Sequence, residues 1–357
     1  MAEKKIEFAT EPPKFVLMGA GFHICAFARI LVEAGLPKPL ILTYPKPQHE
    51  RDRLQLSDPK LYSYVFDVAE ELGLEVLESP RVNDSKLIET LKDKGCNAAF
   101  SLSCRSIIRQ KFIDSFKGRV FNIHPSPLPK ERGGGIYTWR VIQGGRHAVV
   151  TIHMIDEGID TGAILSQKRS EISELRPVPR DLMLATNDLY VEALREFAAK
   201  LAGGERSFDI ACQDDSDSTY LPRVCTEVNG AIDWSASLEE LDRFIRGYSY
   251  PYGGAFSFVR GRRFSVMVAA PDGEGVHHPS LAGRVDRINP DGSVRVLVRD
   301  GFLKISKIAV EGKESSATSV LALMDVLHTP VGVLEEARSR VVGIKEMSSR
   351  LATEVPE

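Results

Sequence analysis

The chain has 357 residues, long enough for two domains at roughly 100–200 residues each. With 43% hydrophobic and 27% charged residues, it has the composition of an ordinary globular protein rather than a disordered one. The net charge of −3 gives no support to a large electrostatic footprint for nucleic acid or an anionic membrane.

Residues 1–13 read as a flexible lead-in, with charges and prolines where a secretory signal would need an apolar core. A short apolar run at 15–18 meets Gly19-Ala20-Gly21, and a helical pattern (Ile24, Phe27, Ala28, Leu31) then runs to Gly35. Residues 39–43 predict a second strand, so the order is strand, glycine turn, helix, strand: the start of a doubly wound α/β domain. A dinucleotide fingerprint would need a third glycine where Ile24 stands, and no acidic residue closes the second strand. Tight packing of the first strand on its helix therefore explains these glycines better than nicotinamide binding does.

The polar, proline-dotted segment 44–60 reads as an exposed loop. A helix over 64–72 ends at Gly73, a third strand covers 75–77, and a helix from 85 ends at Gly95 before a strand at 97–102. Alternation continues with a strand at 120–123, a helix around 137–143, a strand at 149–153 and a helix over 180–202. Tyr137 and Trp139 fall at helical spacing and read as core. From about 205 the texture becomes polar, as in a linker. A helix at 237–247 then precedes strands at 254–259, 263–269, 283–288 and 293–298, separated by turn signals such as Arg260-Gly261 and Pro271-Asp272-Gly273. Short strands with frequent turns predict a small antiparallel barrel, and the tail reads as one or two helices. The domain division expected is 14–205, a linker at 206–221, a module at 222–316 and a helical tail at 317–357. No run approaches the ~18 apolar residues of a membrane helix. The five cysteines (Cys25, Cys96, Cys104, Cys212, Cys225) form no CxxC pair, which suits small buried side chains in a reducing cytoplasm.

Chemistry concentrates in residues 121–140. Asn122 and His124 stand two apart at a strand end, and alternation places them on one face. Pro125, Pro127 and Pro129 stop any helix, so the strand opens into a rigid loop at the sheet edge where α/β folds bind ligands. The glycines 133–135 allow close backbone approach to a ligand. A second cluster, residues 151–165, puts acidic groups after another strand and ends with Asp160-Thr161-Gly162. Alone, His124 would read as a packed histidine and Asp160 as a turn residue; together, each just after a strand, they point to a site.

The pattern Asn122-x-His124-Pro125-Ser126-x-Leu128-Pro129, then Arg132-Gly133, then Asp156-Glu157-Gly158-x-Asp160-x-Gly162 resembles the 10-formyltetrahydrofolate-dependent formyltransferase family. That family includes enzymes acting on methionyl-tRNA, glycinamide ribonucleotide and nucleotide-linked amino sugars. Residues from Pro222-Arg223 to Ile232-Asp233-Trp234, with Arg246, Pro251 and Gly254-Ala255-Phe256, resemble the C-terminal module of its longer members. The resemblance implies a Rossmann-like N-terminal formyltransferase domain followed by an OB-like barrel. It also implies 10-formyltetrahydrofolate as cosubstrate, and a cytoplasmic enzyme that needs neither a metal nor a covalent intermediate. Asn122 and a protonated His124 would donate to the oxyanion formed when an amine attacks the formyl carbon, and Asp160 would accept the amine's proton. The resemblance further implies a folate pocket between Cys104, Arg105, Ser106 and Ile107 on one side and Ile155, Asp156, Glu157 and Gly158 on the other. Where the amino-sugar enzymes carry aromatics before the arginine, Ser103 and Cys104 stand here, so this pocket wall differs.

For the acceptor, Ser126, Lys130, Arg132, Gly133 and Gly134 are the candidate contacts, and Lys130, Arg132 and Arg140 could meet a diphosphate or carboxylate. The segment 222–357 is nearly charge-balanced and the loop 44–60 is mixed in charge and lacks glycine, so both count against a tRNA partner. The extra module counts against a glycinamide ribonucleotide enzyme. A nucleotide-linked amino sugar is the expected acceptor, with methionyl-tRNA, a hydroxyornithine-type amine, or water in a hydrolase as alternatives. No membrane partner is expected, and the tail helices could form an oligomer interface.

Overall fold

Seven strands form the first sheet of the computed structural model, which describes residues 4–56 and 58–340. In chain order they are β1 (Phe15–Gly19), β2 (Leu40–Thr43), β3 (Val76–Glu78), β4 (Ala98–Leu102), β5 (Val120–His124), β6 (His147–Met154) and β7 (Ile164–Glu171). The spatial order is β3-β2-β1-β4-β5-β6-β7. The first five are parallel, while β6 runs antiparallel to β5 and β7 antiparallel to β6. The direction of winding reverses between β1 and β4, which gives the expected doubly wound core with an antiparallel extension at one edge.

Both faces are covered, so the strands read as continuous apolar runs. On one face Val16, Met18, Ala99 and Val120 pack with Ile88, Leu91, Phe112 and Phe116 from the helices Ser85–Asp93 and Gln110–Ser115 and the residue after them. Another layer is aromatic: Phe100 has ring centroids of Phe27, Phe121, Phe197 and Phe15 at 4.9, 5.8, 6.2 and 6.5 Å. Local signals agree with these elements. Gly73 caps the helix Val65–Leu72 at φ 60°, and the Asp84 carboxylate accepts from the amides of Lys86 and Leu87 at the start of Ser85–Asp93.

Two compact units divide the chain. One holds the described residues up to Gly133 with His147–Glu171 and Met183–Leu221; the other holds Gly134–Arg146, Ile172–Leu182 and the described residues from Pro222 onward. This division corrects two sequence expectations. The lead-in is built into the first unit, because Lys4–Glu7 pairs antiparallel with Ser207–Ile210 and Phe8 packs against Phe121 at 6.0 Å. The supposed linker is built in as well: besides Ser207–Ile210, Tyr220–Leu221 pairs parallel with Arg132–Gly133. Each of these strands buries a single apolar side chain or none, which leaves little alternation to read. The segment 44–60 likewise contains a 3₁₀ turn (Lys46–His49) and a short helix (Glu50–Gln55), with His49 buried.

In the second unit a helix, Leu238–Gly247, opens with a reciprocal capping box between Ser237 and Glu240. The strands are β8 (Ala255–Val259), β9 (Arg262–Glu274), β10 (Val285–Ile288), β11 (Val294–Val298), β12 (Gly301–Val310) and β13 (Lys313–Ser316). Their order is β8-β9-β12-β11-β10, with β13 on β12 and every pair antiparallel. The unit is an antiparallel sheet in which the two end strands, β8 and β10, do not pair with each other, so the strands alone do not close the small OB-like barrel that was expected. The segment 324–328 bonds to both ends instead, His328 to Phe258 in both directions and Leu327 N–H to the Gly283 carbonyl at 2.7 Å. Of the expected helical tail, Val331–Ser339 is a helix, residues 317–330 are instead a 3₁₀ turn (Ala317–Ser319) followed by irregular chain, and the part beyond 340 lies outside the described residues. Among the described residues no helix is long and apolar enough to cross a membrane.

Candidate active site

Register explains how Asn122 and His124 come to share one face of β5. Both share the parity of Val120, so they lie on the helix-covered face of β5, at its carboxyl end. The antiparallel return of β6 sets His153 directly opposite Asn122 and Thr151 opposite His124. After β6 the chain turns through residues 155–163 and brings Asp160 back to the same place.

The polar cluster is dense. His124 Nδ1 lies 3.7 Å from Asp160 Oδ2, and His124 Nε2 donates to the Glu131 carbonyl at 3.1 Å. Asp160 Oδ2 also accepts from the Gly133 amide at 2.8 Å, and its Oδ1 is 3.7 Å from His153 Nε2. His153 Nδ1–H donates to the Met154 carbonyl at 2.7 Å, which leaves Nε2 as an acceptor. The facing atom of the Asn122 carboxamide, 3.1 Å away, is therefore its NH₂ group. Its second hydrogen and its oxygen are not used by His153. Asp160 sits at φ +56°, a left-handed conformation that few non-glycine residues adopt.

Burial holds His153 neutral, pushing it down to about 4, with the His124 ring acting in the same direction and Asp160 opposing it. His23, hydrogen bonded to Asn187 and Ser103 at 3.0 Å each, is likewise pushed down to about 4 by burial. The sign for His153 follows: the unfolded chain takes up a proton near pH 6.5 that the folded ring refuses until about 4. Stability is thus complete above about pH 6.5 and falls as the pH drops through that window. His153→Gln should flatten part of this loss; urea unfolding at pH 7.5, 6 and 5 for both proteins checks it, and parallel curves would reject the assignment.

The two predicted folate-side segments lie on one patch of core. Cys104 and Ile155 pack against the same hydrophobic cluster, and the Ile155 amide donates to the Val120 carbonyl at 2.8 Å. Burial pushes the Cys104 thiol up, so it is a packing group. Arg105 is held from its own side: its guanidinium pairs with Asp52 and lies 5.5 Å from the Tyr44 ring, and its amide donates to the Tyr44 hydroxyl. Ser106 is half-buried, Ile107 is 64% exposed, and Asp156, Glu157 and Gly158 form an exposed turn in which Asp156 accepts from the Gly158 amide at 3.1 Å.

The predicted acceptor contacts divide. Ser126 is fully buried, its hydroxyl donating to the Lys130 carbonyl and its carbonyl accepting from Thr151 at 2.6 Å, so it braces the loop. Arg132 is 1% exposed, its guanidinium held by Gln213, Asp215 and the Tyr220 hydroxyl. Neither presents a free group to a ligand. Lys130 is exposed, Gly133 uses its amide on Asp160, and Gly134 belongs to the second unit with Arg140, which is buried. Sequence reasoning missed His153, Gln213 and the Glu131 carbonyl. His153 stood in the quoted strand at 149–153, but only the antiparallel register places it opposite Asn122.

Comparison with known proteins agrees with this architecture. A family described as "Formyl transferase" matches residues 26–196, and "Formyl transferase, C-terminal domain" matches residues 226–322. Among curated relatives, the methionyl-tRNA formyltransferase of Citrifermentans bemidjiense is 29% identical over 302 residues, covering 84% of this chain and 90% of that protein. The methionyl-tRNA formyltransferase of Lachnospira eligens is 26% identical over 304 residues, with 84% and 93% covered. Among solved structures, the N-formyltransferase of Helicobacter canadensis, in complex with folinic acid and dTDP-3-aminofucose, superposes with a TM-score of 0.60. It has 17% identity and covers 82% of this chain and 98% of that one. WlaRD, a sugar 3N-formyl transferase, gives 0.57 at 17% identity, with 83% and 97% covered. These two structural likenesses speak for the fold.

Proposed function

The chain belongs to the formyl transferase family, and on that premise we propose that it moves the formyl group of 10-formyltetrahydrofolate onto the amine of a nucleotide-linked amino sugar. The observation that carries the transfer is the joint placement of Asn122, His124, His153 and Asp160 at the carboxyl end of β5, Asn122 3.1 Å from His153 and Asp160 3.7 Å from both histidines. The amine nitrogen attacks the formyl carbon, a new N–C bond forms, and charge builds on the formyl oxygen. Asn122 keeps an amide hydrogen to donate to that oxygen. His124 joins it when the ring exchanges the Glu131 carbonyl for the substrate. Asp160 takes the proton lost by the amine and passes it to N10, so that the C–N10 bond breaks and tetrahydrofolate leaves. The folate would lie between the 104–107 and 155–158 segments, which share one core patch.

Charge in the 44–60 segment supports a small acceptor. Two of its cations have local partners: Arg53 pairs with Glu50 at 3.7 Å, and Lys46 lies 5.0 Å from the Phe66 ring. Asp52 in turn neutralises Arg105. The acidic partners within the segment offset part of the positive charge that tRNA phosphates would need. The sugar N-formyltransferases with the same fold lend the acceptor class. A second reading, methionyl-tRNA, is favoured by the curated relatives at 26–29% identity.

The test is turnover itself. The purified chain, given 10-formyltetrahydrofolate, should release tetrahydrofolate with amino-sugar nucleotides and stay silent with methionyl-tRNA, hydroxyornithine and buffer alone. Turnover with methionyl-tRNA only would replace the sugar by the tRNA, and release in buffer alone would make the protein a hydrolase.

A further inference from the structure

Gln213 lies between the strand Ser207–Ile210 and the 3₁₀ turn Asp215–Asp217, outside the motifs that carry the family resemblance. Its carboxamide is fully used. Nε2 donates to the carbonyls of Asp160 at 2.8 Å and Gly162 at 2.7 Å, while Oε1 accepts from Arg132 Nε at 3.1 Å and Nη2 at 2.8 Å. Carbonyls only accept and a guanidinium only donates, so the orientation of this amide is dictated by its neighbours. Arg132 in turn is anchored by the Tyr220 hydroxyl at 3.0 Å and Asp215 at 2.9 Å.

The residue it grips is the one that needs holding. Asp160 occupies the left-handed region at φ +56°, a strained conformation for an L-residue. The turn beyond it is pressed on β6: a Cβ on Gly162 would stand 1.9 Å from the Met154 carbonyl. The turn therefore cannot relax toward β6, and its two carbonyls require donors from the other side. Arg132-Gly133 acts on Asp160 twice, through the Gly133 amide on the carboxylate and through Gln213 on the main chain.

We propose that Gln213 is the positioning residue for Asp160, holding its carboxylate against His124, so that the stretch after the α/β fold completes the site. The proposal rests on the formyl-transfer reading only for its kinetic arm. Gln213→Leu removes every bond, and Gln213→Glu keeps an acceptor for Arg132 while setting oxygen against two carbonyls. Both should lower kcat about 10–100-fold, as expected for a displaced reacting group, with KM for folate and acceptor within about threefold. A purely structural role would instead move KM and thermal stability while leaving kcat per folded molecule intact. The second arm needs no turnover: exchange of the Gly133 amide, which reports the Asp160 carboxylate, should quicken at least about tenfold in Gln213→Glu. If the wild-type chain turns over no acceptor, the formyl-transfer reading falls and the Gly133 exchange alone decides the role of Gln213. Unchanged Gly133 exchange, or kcat within twofold of wild type in both variants, overturns the proposal.

Discussion

Asp160→Asn should lower formyl transfer about 10³-fold while leaving the fold in place. The substitution keeps the size of the side chain and an oxygen that can still accept from the Gly133 amide, so the turn 155–163 has no steric reason to move. What it loses is the negative charge 3.7 Å from both His124 and His153, and with it the acceptor for the proton that the attacking amine must shed. General-base contributions of about 10²–10⁴ set the scale. Single-turnover rates with saturating 10-formyltetrahydrofolate and acceptor would measure the loss, and a thermal melt beside wild type would confirm the fold. A variant within tenfold of wild type would sink the assignment of Asp160.

Phe100→Ala should be the costliest single truncation in the first unit, at about 3–5 kcal/mol of unfolding free energy. Phe100 is fully buried in the middle strand pair, and four phenylalanine rings stand within 6.5 Å of its centroid. Rings from two strands and two helices meet there, and a cavity at a junction of several elements closes poorly. Equilibrium urea unfolding would read the change, and a loss below about 1 kcal/mol would show that the neighbouring rings collapse into the space.

How much of this was readable beforehand follows from which features are local. The parallel strands announced themselves because both faces are buried, and Gly73 and Gly95 marked helix ends by their left-handed conformations at φ 60° and 81°. Asn122 and His124 were readable because parity along one strand is a local fact. His153 was not, because its role depends on β6 returning antiparallel to β5, whereas strand–helix alternation suggested a parallel continuation. The β7 strand escaped for a related reason: its apolar residues cluster at one end, and an exposed edge carries Lys168, Arg169 and Glu171. Lys4–Glu7 and Ser207–Ile210 lie some two hundred residues apart and stabilise each other, so neither is visible alone. In the second unit β12 alternates buried with mostly half-buried residues, yet it was not among the expected strands, which ended at 298.

The contact between Asp52 and Arg105 joins the 44–60 segment to the 104–107 segment that the resemblance assigns to the folate. The Tyr44 hydroxyl and ring bind Arg105 from the same side, so three residues from two stretches of chain behave as one part. For protein engineering this makes 44–60 a poor unit of exchange. A graft that brings in a foreign loop leaves Arg105 with neither its counter-ion nor its aromatic platform. Chimeras between relatives with different acceptors should therefore be cut so that position 105 travels with the loop, and lineages that change acceptor are expected to change the two stretches together.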